Sequence, residues 1–549
     1  MVEKDPPLQT SAAYVASRAY TPRMATRRGG LWLAAFAVLL ALVATHVRAI
    51  AAVTGGAFLY PMDDLYIELA MARSLAEHGV WGVTPVAFTG VGTSLIWPWT
   101  LAVAHRAVAS EWWPLVLNLA SAAALLVVAT RYLSAHVNGV WLRAWILAVL
   151  VVASPLAALS VLGMEHTLQA LAALALAMIV ARALASEAPV TASTLVVSGV
   201  LAMLATATRY DTATVVGAAV MCAAWRRQWR LVVTLTVCAA VPPLVYALVA
   251  SGHGWPSVPV TILVKRRALG GVLDVLGFGP LRLLWRAAYI WPLWAASIAL
   301  IWQHWRTRDV RRRESTWLLC IFVIATFVHF DFSDGGDFVN RRYDAYLVCL
   351  GIVGVGAAVG RSAEEWGRRG LRAAVLAVAA LAIVYTAVGM RRSVKTFTLQ
   401  VEDGRLEFLT THQLARLLLT PGLPAVPAVQ DLGEPSYMLR APVFDLDGLG
   451  TLEVGRAWRD RTWDEDTFRR LARQYGTRTA AVLTHTVPMT HVPREWISLG
   501  EWRVDDAFSY AFFAADTEAA ERFAASIAAF DAQLPQGVRR YDAAGARVH

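Results

Sequence analysis

The chain has 549 residues, 57% of them hydrophobic and 16% charged, with a mean hydropathy of +0.49. That balance excludes an ordinary soluble domain and a disordered chain, and points to a polytopic membrane protein. The 50 Lys and Arg against 40 Asp and Glu do not read as a nucleic-acid surface, because the arginines stand in short clusters between apolar runs, as the positive-inside rule arranges them.

The first thirty residues are a polar tail with Arg23, Arg27 and Arg28 just ahead of Leu31. The apolar run that follows, to about Val47 or Val53, is too long for a signal-peptide core and has no small-residue cleavage pattern after it. It reads as a retained first span with a cytoplasmic N-terminus. An acidic pair, Asp63-Asp64, then begins an outer loop spanning 54–112. This loop holds a helix from Leu65 to Glu77, a Gly/Pro/Thr-rich turn region from Gly79 to Thr93, and a Trp-rich segment, 94–109, expected to lie at the interface.

Further spans are expected near 113–131, 143–159, 166–183, 191–208, 212–225, 231–250, 284–302, 316–330, 344–360 and 373–390. With the first they make about eleven. This parity places the clusters Arg226/Arg227/Arg230, Arg306 to Arg313 and Arg361 to Arg372 in the cytoplasm. It also puts Glu165, Arg209 to Asp211, Lys265 to Arg267 and Asp331 to Asp344 on the same outer face as the acidic pair. Residues 31–390 therefore read as a transmembrane region with a common cavity at its outer face. From 391 to 549 the chain turns polar, with short strands and helices, and reads as an extracytoplasmic α/β domain. Cys222, Cys238, Cys320 and Cys349 all fall in apolar runs, so neither a disulfide framework nor a CxxC metal site is implied.

Two adjacent carboxylates at a membrane edge cost free energy unless partners compensate. One of them can serve as a base, the other can orient an acceptor or bind a cation, and Asp63 alternatively caps the helix behind it. Glu165 sits at a span edge, where an acidic residue is a functional candidate. Arg209 and Asp211 either serve a cavity or pair with each other. Lys265, Arg266, Arg341 and Arg342 either hold a lipid phosphate or snorkel to the interface. His78 and Tyr66 complete the cavity candidates. No Walker lysine loop and no HExxH motif is present.

The acidic pair followed by Ile67, Arg73, Leu75, a Gly-rich turn, Thr93-Ser94 and Trp97 resembles the GT-C superfamily of integral-membrane glycosyltransferases. Pro155 to Glu165, Pro259 to Lys265, Arg342-Tyr343-Asp344-Ala345-Tyr346 and Asp445 to Gly450 are similar, within it, to the terminal β-1,2-arabinofuranosyltransferase family of actinobacterial cell envelopes. The resemblance implies inverting transfer of a sugar, arabinofuranose before mannose or another hexose, from a polyprenyl-phosphate donor to a cell-envelope glycan outside the plasma membrane. It assigns Asp63 as the base, Asp64 to the acceptor or a divalent cation, Glu165 as the second acidic residue, and Lys265 with its neighbouring arginines to the donor phosphate. A lipid or glycan transporter and an envelope scaffold are the competing readings.

Overall fold

The computed structural model describes residues 22–265, 288–332, 342–368, 372–423, 425–484, 491–505 and 508–548. Arg266 and Arg341 lie outside the described residues, and of Lys265 only its place at the end of a helix is described.

Helices stand at all eleven positions expected for spans. They are α1 (Pro22–Val53), α4 (Trp113–His136), the pair α5 (Val140–Ala153) and α6 (Leu156–Leu162), α7 (His166–Ala185), α8 (Ala192–Thr208), α9 (Ala213–Trp225), α10 (Trp229–Gly252), α12 (Trp291–His304), α13 (Val310–Phe332), α14 (Ala345–Arg368) and α15 (Arg372–Leu409). Among the described residues six helices are long and apolar enough to cross a membrane: α1 from Gly30, α4, α7, α10, α13 and α14. A seventh is added if α5 and α6 form one span, bent by 41°. The bend falls at Ser154-Pro155, where proline supplies no N–H and its ring clashes with the preceding turn. α8, α9 and α12, at 17, 13 and 14 residues, are short for the roughly 20 that a span needs. Large apolar side chains face outward, Leu248 at 76% and Trp302 at 85% exposure, as a lipid-facing surface requires.

Two more helices lie off this bundle. α2 (Asp63–His78) is buried at every position from Leu65 to Ala76, so it is a core element despite its mixed composition. α3 (Trp97–Ala107), the expected interfacial helix, is only 11 residues long and packs on α2 through Trp97, Leu101 and Ala102.

α15 continues unbroken through residue 391, where the polar domain was expected to begin, and carries the chain into α16 (Thr411–Leu418). Beyond it a six-stranded sheet has the order β2-β1-β3-β5-β4-β6, from β1 (Pro427–Val429), β2 (Phe444–Asp445), β3 (Thr479–Leu483), β4 (Ile497–Val504), β5 (Phe508–Ala514) and β6 (Val538–Tyr541). β1 pairs parallel with β2 and β3, and the remaining pairs are antiparallel. Along β3 the side chains alternate between two cores. Ala481 and Leu483 join Trp502, Phe512 and α20 (Thr517–Phe530), whereas Ala480 and Val482 join Phe444 and Phe468 of α19 (Glu465–Tyr475). A helix on each face makes a three-layer α/β unit.

α17 (Gly433–Leu439) and α18 (Leu452–Asp460) carry this unit onto the helical body. α2 holds α17 at both ends. The Asp63 carboxylate accepts from the Gly433 and Glu434 backbone N–H groups at 2.7 and 2.8 Å, and the Arg73 guanidinium donates to the carbonyls of Ser436, at 3.3 Å, and Tyr437. An anion at the N-terminal end and a cation at the C-terminal end both complement the peptide dipoles. The approach is so close that a Cβ on residue 433 would lie 2.2 Å from the Asp63 carbonyl oxygen, so only glycine fits.

Candidate active site

A cavity of about 380 Å³ opens where α2, the 163–165 turn, Arg209, the 342–343 segment, α11 (Val260–Lys265) and the sheet domain meet. It is lined by Asp64, Glu68, Arg209, Arg342, Tyr343 and Asp447 among its polar groups, with Ile67, Leu449 and Trp458 among its apolar ones. Asp64 and Glu68 stand one turn apart on α2, which puts both carboxyls on one helix face.

Each charge has an identifiable holder. Arg342, 3% exposed, donates to Asp64 Oδ2 at 2.7 Å, to Met164 Sδ at 2.9 Å and to the Tyr343 hydroxyl at 3.0 Å. Asp64 itself is 38% exposed and faces the cavity. Arg209 reaches Glu165 Oε1 at 2.6 Å and Asp211 Oδ2 at 3.0 Å. The Tyr343 ring lies near both guanidinium groups, whose central carbons are 5.4 Å (Arg209) and 5.0 Å (Arg342) from its centroid. Glu68 is buried and accepts from the Thr93 backbone N–H. Burial first, then the carboxylates of Glu165 and Asp64, push the Glu68 carboxyl well above the usual range.

The structure separates the two members of the acidic pair. Met62, not Asp63, is the residue ahead of α2, and it makes no side-chain cap. Asp63 caps α17 across the interface instead and does not line the cavity. Burial and then nearby Asp431 push its carboxyl up, while the two N–H donors pull against them. Glu165 is fully buried behind Arg209 and acts as its anchor. Arg209 and Asp211 do pair, and Arg209 still faces the cavity. Tyr66 is buried outside it, its hydroxyl accepting the Tyr60 N–H at 3.3 Å. His78 is half-exposed beside Glu77, about 21 Å along α2 from Asp64 at 1.5 Å per residue. Asp64, a candidate cation ligand from sequence, is engaged by Arg342, and among the described residues no three His, Cys, Asp or Glu could together hold a metal ion.

Glu68, Tyr343, Asp447 and Trp458 were not singled out as site residues from sequence. Helical spacing from Asp64 could have found Glu68, but the residues from the sheet domain are hundreds of positions away. Asp447 sits in a turn organised by Asp445, which accepts from the backbone N–H groups of Asp447 at 2.9 Å and Gly450 at 2.6 Å. Although Asp447 opens on the cavity, desolvation by the turn around it, then the charges of Asp445 and Asp431, push its carboxyl up to about 7. Because that lies above the ordinary value of about 3.9, the folded state holds a proton that the unfolded chain has released, and stability falls as pH rises through the window between the two. Asp447→Asn removes this contribution. The variant's advantage in thermal midpoint is therefore expected to widen from pH 5 to pH 8 and then level off, and a pH-independent difference would contradict the assignment.

Membrane-length apolar helices, a charged cavity at one end of the bundle and a small sheet domain closing over it define a polytopic membrane protein, and its fold is like that of ArnT. The chain is similar to ArnT from Cupriavidus metallidurans bound to undecaprenyl phosphate, at a TM-score of 0.52 and 16% identity over 89% of this chain and 98% of that one. The apo structure of the same ArnT gives a TM-score of 0.48 at 16% identity, over 88% and 99%. No family profile matches the chain, and no curated protein sequence matches it.

Proposed function

We propose that this protein is an inverting glycosyltransferase that moves a sugar from a polyprenyl-phosphate donor to a glycan acceptor at the outer face of the membrane. The observation that carries the proposal is the cavity itself: a half-open carboxylate, Asp64, stands beside two buried guanidinium groups, inside a fold shared with a protein whose structure holds undecaprenyl phosphate.

In this reading Asp64, rather than Asp63, accepts the proton of the acceptor hydroxyl as its oxygen attacks the anomeric carbon. The bond from that carbon to the phosphate oxygen breaks, and Arg342 and Arg209 stabilise the charge on the departing lipid phosphate. Phosphate already leaves readily, so no protein acid is needed. Arg342 moves from Asp64 to the donor phosphate when the donor binds, which frees Asp64 for the hydroxyl. Lys265, Arg266 and Arg341 are proposed from their sequence positions to add to the phosphate site.

Topology supports the placement. Arg311 and Arg361 both donate to the Ala135 carbonyl at one end of α4, whereas the other end of α4 is tied to Tyr60, next to the acidic pair. Two of the three arginine clusters and the cavity thus sit at opposite ends of a helix about 36 Å long. Positive-inside orientation makes the cavity and the sheet domain extracytoplasmic.

The test is transfer by the purified protein in lipid nanodiscs, with polyprenyl-phosphate arabinofuranose, mannose, glucose and galactosamine as donors. Arabinofuranose is expected to be the preferred donor, on the motif resemblance. A wild-type protein that binds no undecaprenyl phosphate and transfers none of the four sugars overturns the proposal.

A further inference from the structure

The cavity wall is built from two parts of the chain. The helical body supplies Arg209, Tyr343 and Arg342, which suit an anion. The sheet domain supplies Asp447, Leu449 and Trp458, none of which carries a positive charge. We propose that Asp447 and Trp458 form a subsite for a neutral, hydroxyl-rich sugar unit of the acceptor, with the Trp458 ring against the sugar's C–H face and the Asp447 carboxylate accepting from its hydroxyls. This subsite rests on the glycosyltransferase reading for its role in turnover, but its chemistry stands on the sheet domain's own geometry.

Both side chains are held before any ligand arrives. The Trp458 indole N–H donates to the Leu446 carbonyl at 2.9 Å, and the ring packs against Trp463 and His491 with centroids 5.8 and 5.9 Å away. Asp447 accepts from Gln430 Nε2 at 3.0 Å while its residue remains exposed to the cavity. Backbone contact fixes the two relative to each other. Gly448, at a φ of +75°, lies so close to α18 that a Cβ there would be 2.1 Å from the Gly455 nitrogen, and a Cβ on Gly455 would be 2.4 Å from the Gly448 carbonyl oxygen. The turn carrying Asp447 and the helix carrying Trp458 therefore form one rigid piece. A fixed aromatic face beside a fixed acceptor is a low-entropy platform for a polyol.

The experiment is isothermal titration of the full-length protein in nanodiscs with three probes: an α-1,5-linked arabinofuranose hexasaccharide, mannohexaose and undecaprenyl phosphate. At least one oligosaccharide is expected to bind wild type. Trp458→Ala should weaken that binding at least tenfold, Trp458→Phe less than threefold, and Asp447→Asn at least fivefold. Undecaprenyl phosphate affinity should stay within twofold in all three variants, which also reports that they are folded. Absence of oligosaccharide binding in wild type, unchanged binding in the variants, or parallel loss of lipid binding each overturns the subsite. Failure of the transferase reading looks different: the oligosaccharide binds at Trp458 and Asp447, but wild type transfers no sugar from any donor.

Discussion

Asp64→Asn is expected to lower the rate of sugar transfer by about 10²- to 10⁴-fold, the range that a positioned general base supplies. Asn matches Asp in shape but cannot take the acceptor proton, and the change also leaves Arg342, only 3% exposed, without its 2.7 Å carboxylate partner. Asp63→Asn should behave differently. Its two carboxylate oxygens accept from two separate backbone N–H groups of α17, and an amide would turn its own N–H₂ toward one of them. The expected cost is about 2 kcal/mol of domain docking, in the range for hydrogen bonds to a charged group. It should appear as a lower thermal midpoint, with transfer by the folded fraction reduced far less than in Asp64→Asn. Turnover numbers measured beside thermal midpoints separate the two. Wild-type turnover in Asp64→Asn, or a loss of turnover in Asp63→Asn at unchanged stability, would return the base assignment to Asp63.

The second large effect lies just behind the site. Asp344, with no exposed surface, accepts from Arg392 Nη2 at 2.8 and 2.7 Å and from the Tyr289 hydroxyl, and the Arg392 guanidinium lies 3.8 Å over the Tyr289 ring. This pair ties the start of α14 to the middle of α15, two residues from Arg342. Arg392→Met leaves a buried carboxylate uncompensated and is expected to destabilise the protein by about 3–5 kcal/mol, the range for breaking a buried ion pair from one side. Arg392→Met with Asp344→Leu should recover most of that loss, because neither charge then remains. Thermal unfolding in nanodiscs checks both, and a single variant as stable as wild type would show that the pair carries little.

The helices of the membrane body were legible because spans announce themselves: a long apolar run must satisfy its backbone internally, and only a helix does so within one segment. In the C-terminal region the short apolar runs Val426–Val429, Val443–Leu446, Ala480–Leu483 and Trp496–Val504 mark the strands β1 to β4 in the sequence itself. β5 and β6 have no such mark, nor do α17 and α18, which have few residues and take their stability from packing against α2 and the Asp447 turn. The expected boundary at 391 fell inside α15 because composition changes where lipid gives way to water, whereas a helix need not stop there.

The sequence by itself determined that this is a polytopic membrane protein with a C-terminal sheet domain, and that an acidic pair opens a helix beyond the first apolar run. Only the tertiary structure decided what each carboxylate does. Successive residues of an α-helix point about 100° apart, so two neighbours in the chain necessarily face different surroundings, and the chain order does not say which. Asp63 meets the end of a helix 370 positions later, and Asp64 meets Arg342 and the cavity. Their roles come from those distant partners, through burial and hydrogen bonding that exist only once the sheet domain has docked.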